Sequence, residues 1–267
     1  MEKFKKSIKT IFIMISFLLV NVIIDVITGA SIPGIIAQIK DGDLLKASRY
    51  VIYGVLFGQL VKLTILYFYI SKRDKTFRTK YDRRYLSDEK IKAPLTLVGV
   101  GLGTIGFGQL LTNVIMKALA GTEILTSAMD LLESVFNAKG IADGVAILIG
   151  AVIGAPIVEE LLFRGVLFEE IKKECSVKTT ILLTALMFGC YHFNIIQTPN
   201  TFFMGLVLAY VYYKTKSIKA SILVHATNNV IAMIPFLDQG LSPIGLVIYI
   251  GFLIIGIYSL LTLRRQA

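Results

Sequence analysis

The sequence predicts an all-α fold: a polytopic membrane helix bundle with about eight transmembrane helices. Three observations carry this. The 267 residues are 55% hydrophobic, with a mean hydropathy of +0.72. The apolar residues come in unbroken runs of roughly 20, the length a helix needs to cross the hydrocarbon layer. The runs also lack the every-second-residue alternation of a barrel strand. Helices, which satisfy their own backbone in lipid, are what remains.

Eight stretches qualify: residues 8–28, 50–70, 93–120, 144–168, 179–196, 201–213, 218–237 and 243–263, the sixth being short. An even number puts both termini on one side. That side would carry 21 of the 28 basic residues, from Lys3 to Lys9, from Lys72 to Lys92, and from Lys172 to Arg265, while the other has only Lys40, Lys46, Arg49 and Lys139. Lys62, Lys117 and Arg164 fall inside spans. This positive-inside pattern predicts a multi-pass cell-membrane protein with both termini in the cytoplasm. The net charge of +10 then sets topology and meets anionic headgroups rather than nucleic acid. Residues 1–28 have the basic start and apolar stretch of a signal peptide. The apolar part is too long, and no small-residue cleavage site clearly follows, so the segment reads as an uncleaved first span. Cys175, in a loop, and Cys190, in a span, do not suit a disulfide. The Ile- and Lys-rich composition points to a bacterial source.

The chain reads as one membrane domain, residues 1–267, with a motif-bearing core at 144–229. The loop 71–92 holds nine basic and four acidic residues, a solvated or membrane-surface segment. The loop 121–143 has Ile124, Leu125, Met129, Leu132, Val135 and Phe136 at roughly helical spacing beside Glu123, Asp130 and Glu133. That predicts an amphipathic helix on the outer surface. Gly101, Gly103 and Gly106 match the dinucleotide fingerprint, with Glu123 where its acidic partner would stand. The match lies inside an apolar span with no preceding strand. Gly99, Gly103 and Gly106 instead predict close approach of another helix.

Ionisable groups at membrane depth are costly and usually functional. Asp25, Lys62 and Lys117 read as isolated and structural. The fourth span differs: Glu159, Glu160 and Arg164 sit together in apolar sequence. Glu160 and Arg164, four apart, share a helix face and can pair. Glu159 points about 100° away and is left without that partner, which suits a general base. Pro156, just upstream, removes a backbone bond and can kink the helix. The chain has two histidines, and both lie in spans: His192, four after Phe188, and His225, four before Asn229. None of these groups belongs in lipid, so they should turn inward and converge.

In this order, Glu159-Glu160-x-x-x-Arg164, Phe188-x-x-x-His192 and His225-x-x-x-Asn229 resemble the CPBP family, the CAAX-processing and bacteriocin-processing (Abi) intramembrane proteases. The resemblance implies an endopeptidase in which Glu159 activates a water, His192 helps hold it, and His225 and Asn229 bind the oxyanion. Glu160 would support the site, with Arg164 and Phe188 as structural support. No metal is required in this reading. In the metal-dependent alternative, Glu159, His192 and His225 would hold zinc or another divalent ion. The implied partner is a membrane-embedded or lipidated peptide or protein: a prenylated CAAX protein, a leader peptide, a peptide signal or a bacteriocin. Oligomeric state is open. Two other classes compete. A proton-coupled transporter would need a polar trail through the bilayer, and a non-catalytic immunity or signalling scaffold would keep its function without Glu159.

Overall fold

The computed structural model describes residues 2–72, 94–136, 138–234 and 242–266. Most of the basic run from Lys72 to Lys92 lies outside the described residues, as does the end of the expected seventh span. Among the described residues there are helices and turns but no strand. We number them α1 (Glu2–Asp41), α2 (Val51–Lys72), α3 (Pro94–Ala118), α4 (Glu123–Phe136), α5 (Ile141–Ile171), α6 (Val177–Tyr191), α7 (Gln197–Thr215), α8 (Ile218–Ala232) and α9 (Pro243–Gln266). The helix expected in loop 121–143 is α4.

Among the described residues, five stretches are long and apolar enough to cross a membrane: Ser7–Asp41, Leu44–Tyr69, Pro94–Ala118, Ile141–Ile171 and Pro243–Arg265. The helices at expected spans five to seven, α6, α7 and α8, have 15, 19 and 15 residues. α6 is apolar but short. α7 and α8 carry asparagines, threonines and His225 of the bundle interior, and Val211, Leu208 and Val224 are fully buried in protein.

The first span was expected to end near residue 28, but α1 runs on to Asp41. The reason is packing against α2. A Cβ at Gly54 would meet the Thr28 carbonyl at 2.7 Å and Pro33 Cδ at 3.0 Å, so α2 sits directly on the later turns of α1. The chain reverses instead at Gly42, whose φ of 63° is the left-handed conformation that glycine adopts freely. Asp43 Oδ1 then accepts from Leu45 N at 2.9 Å and caps the 3₁₀ turn Leu44–Tyr50.

The glycines of α3 do bring a helix close. Gly103 lies against Gly256 of α9 with no room for a Cβ on either, and a Cβ at Gly106 would meet the Tyr249 carbonyl at 2.6 Å. The two helices run antiparallel, since Gly99 near the start of α3 faces Ser259 near the end of α9.

Asp25 and Lys62 are not isolated, contrary to expectation. Lys62 Nζ lies 2.6 Å from Asp25 Oδ1, and both meet the hydroxyl of Tyr191. The hydroxyl donates to Asp25 Oδ2 at 2.6 Å and accepts from Lys62. A buried ammonium at this depth needs a counter-charge, and sequence spacing could not show that α1 supplies it to α2. The cluster ties both helices to the end of α6.

Candidate active site

The site is built on α5, and α5 is not a plain α-helix. A short α-helical piece, Ala155–Glu160, lies between two π-helical stretches, Ile149–Gly154 and Leu161–Leu167. π-Helical turns shift the faces of a helix and often sit at functional sites. Here both carboxylates lie between the two shifts.

Glu160 and Arg164 are fully buried and paired as their spacing predicts, Arg164 Nη1 donating to Glu160 Oε1 at 2.7 Å. Arg164 Nη2 donates to the carbonyl of Gly205 on α7 at 3.1 Å. The guanidinium carbon lies 4.5 Å from the centroid of the Phe188 ring, a cation–π contact in a desolvated setting. Phe188 also meets both histidine rings edge-on, His192 at 5.2 Å and His225 at 5.8 Å between centroids. It is the apolar floor on which the arginine and the imidazoles rest.

His225, 2% exposed, comes from α8. Its Nδ1 lies 2.9 Å from Glu160 Oε1, and its Nε2 lies 3.9 Å from Glu159 Oε2. An ionised carboxylate only accepts, so Nδ1 carries the hydrogen and Nε2 is directed to the Glu159 side. Glu159 Oε2 is buried without a hydrogen-bond partner, as are Glu160 Oε2 and Arg164 Nε. Glu159 therefore shares the site with Glu160 but not its arginine, as the helix angle predicts.

His192 follows the last residue of α6. Its Nδ1 lies 2.8 Å from the Phe188 carbonyl, which again fixes the hydrogen on Nδ1 and leaves Nε2 as an acceptor in the neutral ring. The turn beyond it is constrained. Phe193 has φ 46°, uncommon for a bulky residue. Asn194 locks the turn by donating to the Ala128 carbonyl of α4 at 2.9 Å and accepting from Ile196 N at 2.9 Å.

Asn229, one turn after His225, donates from Nδ2 to the Ala151 carbonyl at 2.8 Å. Its Oδ1 accepts from Asn228 Nδ2 at 3.1 Å, and Asn228 Oδ1 lies 3.1 Å from the hydroxyl of Thr104 on α3, whose single hydrogen is shared with the Gly101 carbonyl at 2.7 Å. Thr104, Asn228 and the carbonyls of Ala151 and Gly205 are site-building groups that sequence reasoning missed. Backbone carbonyls leave no sequence signal, and Thr104 is hidden among glycines. Asp25, Lys62 and Tyr191 were missed as a cluster, although two charges inside spans were a usable signal.

The described residues contain no group of three His, Cys, Asp or Glu side chains placed to hold a metal ion.

Residues 141–231, about a third of the chain, match a protein family described as type II CAAX prenyl endopeptidase Rce1-like. The motif-bearing segment is similar to that family. The match spans α5 to α8 and contains every residue of the three motifs, in accord with the resemblance to CAAX-processing proteases. No curated protein and no solved structure matches the chain.

Proposed function

We propose that this protein hydrolyses a peptide bond near the membrane-anchored end of a lipidated protein or peptide, with Glu159 as general base. The observation that carries this reading is the unequal treatment of two adjacent carboxylates. Each keeps a buried Oε2 with no partner, but Glu160 Oε1 is taken by both Arg164 and His225, whereas the imidazole comes no nearer to Glu159 than 3.9 Å. A carboxylate with unused acceptor capacity beside an imidazole is suited to hold a water and take its proton as the oxygen attacks the scissile carbonyl. His192 Nε2 accepts from the same water. The developing oxyanion is met by donors from α8: the second Nδ2 hydrogen of Asn229 and His225 Nε2–H.

The last assignment has a chemical condition. With Nδ1–H committed to Glu160, His225 donates from Nε2 only as an imidazolium. The proton taken by Glu159 then passes to the leaving amine, which completes hydrolysis. Two carboxylates, one of them held by a buried arginine and an imidazole, make a water-activating site with no covalent intermediate.

The test is cleavage of a farnesylated peptide ending in a CAAX sequence by detergent-purified protein, with a leader-type peptide as the second substrate. Wild type, Glu159→Ala and His192→Ala are compared, with and without a strong chelator. Cleavage by wild type alone, unchanged by chelator, is expected. Loss in chelator with recovery on adding zinc would replace this mechanism with a metal-dependent one. Equal activity in all three proteins would remove the site assignment.

A further inference from the structure

We propose that Pro156 is a positioning residue for Asn229, acting through the Ala151 carbonyl; this rests on the reading of Asn229 as an oxyanion donor. In the π-helical stretch Ile149–Gly154 the backbone bonds step back five residues, and the Ala155 N–H reaches the Gly150 carbonyl. In the same register the next bond would run from residue 156 to the Ala151 carbonyl. Residue 156 is a proline, and proline has no N–H. The Ala151 carbonyl is therefore left without its helical donor inside an apolar bundle, where an unmet carbonyl is costly. Asn229 Nδ2 fills that place at 2.8 Å.

The consequence is orientation. A carbonyl only accepts, so it fixes which end of the Asn229 amide is nitrogen. The other end, Oδ1, is held by Asn228 Nδ2 at 3.1 Å, and Asn228 is held by Thr104 at 3.1 Å. Asn228 and Thr104 are buried, at 6% and 1% exposure, so the chain is dry. With Oδ1 and one Nδ2 hydrogen both committed, the amide cannot flip, and its second hydrogen has one direction in which to donate. A kinking proline three residues before Glu159 thus does more than open the helix: it lends a carbonyl that aims a donor on another helix.

Pro156→Ala supplies the missing N–H, which competes with Asn229 for Ala151. Alanine is also the better helix former, so the variant should be at least as stable as wild type. Expected is a fall in kcat of at least roughly tenfold, as for a weakened oxyanion donor, with KM and melting temperature held. Pro33→Ala, in α1 and outside the site, should leave kcat unchanged. The second readout is the side-chain amide signal of Asn229 in ¹⁵N-asparagine-labelled protein, identified by its loss in Asn229→Ala. It should move in Pro156→Ala and stay in Pro33→Ala. Unchanged kcat with an unmoved amide signal overturns the proposal, as does a loss of kcat that only tracks a lower melting temperature. If wild type cleaves no peptide, the proposed function falls, and the amide signal alone decides whether Pro156 positions Asn229.

Discussion

Glu159 and Glu160 are neighbours in sequence with opposite surroundings, and substitution should separate them. Glu159→Gln keeps shape and removes the base. We expect kcat to fall by about a hundredfold or more with the melting temperature unchanged. Glu160→Gln removes the carboxylate bonded to Arg164 and leaves the guanidinium buried against Phe188. Breaking a buried pair from one side costs about 3–5 kcal/mol, so this variant should lose stability first, read by thermal unfolding in detergent, and activity with it. His225→Gln, which keeps a side-chain donor, should lower kcat.

At the level of elements, the first hairpin is fastened to the helices of the candidate site by polar groups as well as by packing. Phe17 of α1 meets Phe163 of α5 edge-on at 5.4 Å, and Gln59 of α2 donates to the Gly150 carbonyl at 3.1 Å. The strongest link is Asp25, Lys62 and Tyr191, because Tyr191 directly precedes His192. Asp25→Asn strands a lysine that is 5% exposed. Asp25 itself is 43% exposed, so the cost should fall below the roughly 3–5 kcal/mol of a fully buried pair. Adding Lys62→Met to Asp25→Asn should restore most of the melting temperature, since an apolar replacement removes the stranded charge. If the cluster also sets the His192 turn, the double variant recovers stability without recovering kcat. Recovery of both would make the link purely structural. The same helices show what a sequence can carry. Glu160 with Arg164, and the glycines of α3, follow from spacing along one helix, and both are found as expected. The Asp25–Lys62 pair spans two helices, and no spacing rule connects them. The turn at Gly42 was missed for a related reason: Gly54 of α2 decides how far α1 continues.

The whole molecule has two ends with different company, and this bears on how it crosses the membrane. Lys9 pairs with Glu174, and the Thr10 hydroxyl lies 3.6 Å from Cys175 Sγ, which puts the start of α1 beside the turn between α5 and α6. Tyr212, late in α7, donates to Glu169, late in α5, at 2.8 Å. Leu263 of α9 shares an apolar cluster with Leu97, Ile171 and Ala220. The opposite ends meet each other: Tyr53 donates to Asp143 at 2.8 Å, and Ile52, Ile147 and Met233 pack together. The direction of the chain thus alternates through α5, α6, α7 and α8, though hydropathy alone picks out only α5 of these four as a long span. The expected excess of Lys and Arg falls at the end shared by the start of α1 and the finish of α9. Positive charge is retained in the cytoplasm, so that end is predicted to face inward. The check is thiol labelling of intact cells with a membrane-impermeant maleimide, in protein whose Cys175 and Cys190 have been replaced by serine. Ser127→Cys on α4 should label from outside. Ser87→Cys in the basic stretch should label only after the membrane is opened. The reverse pattern would invert the protein and place the start of α6, rather than the His192 turn and α4, on the outer face.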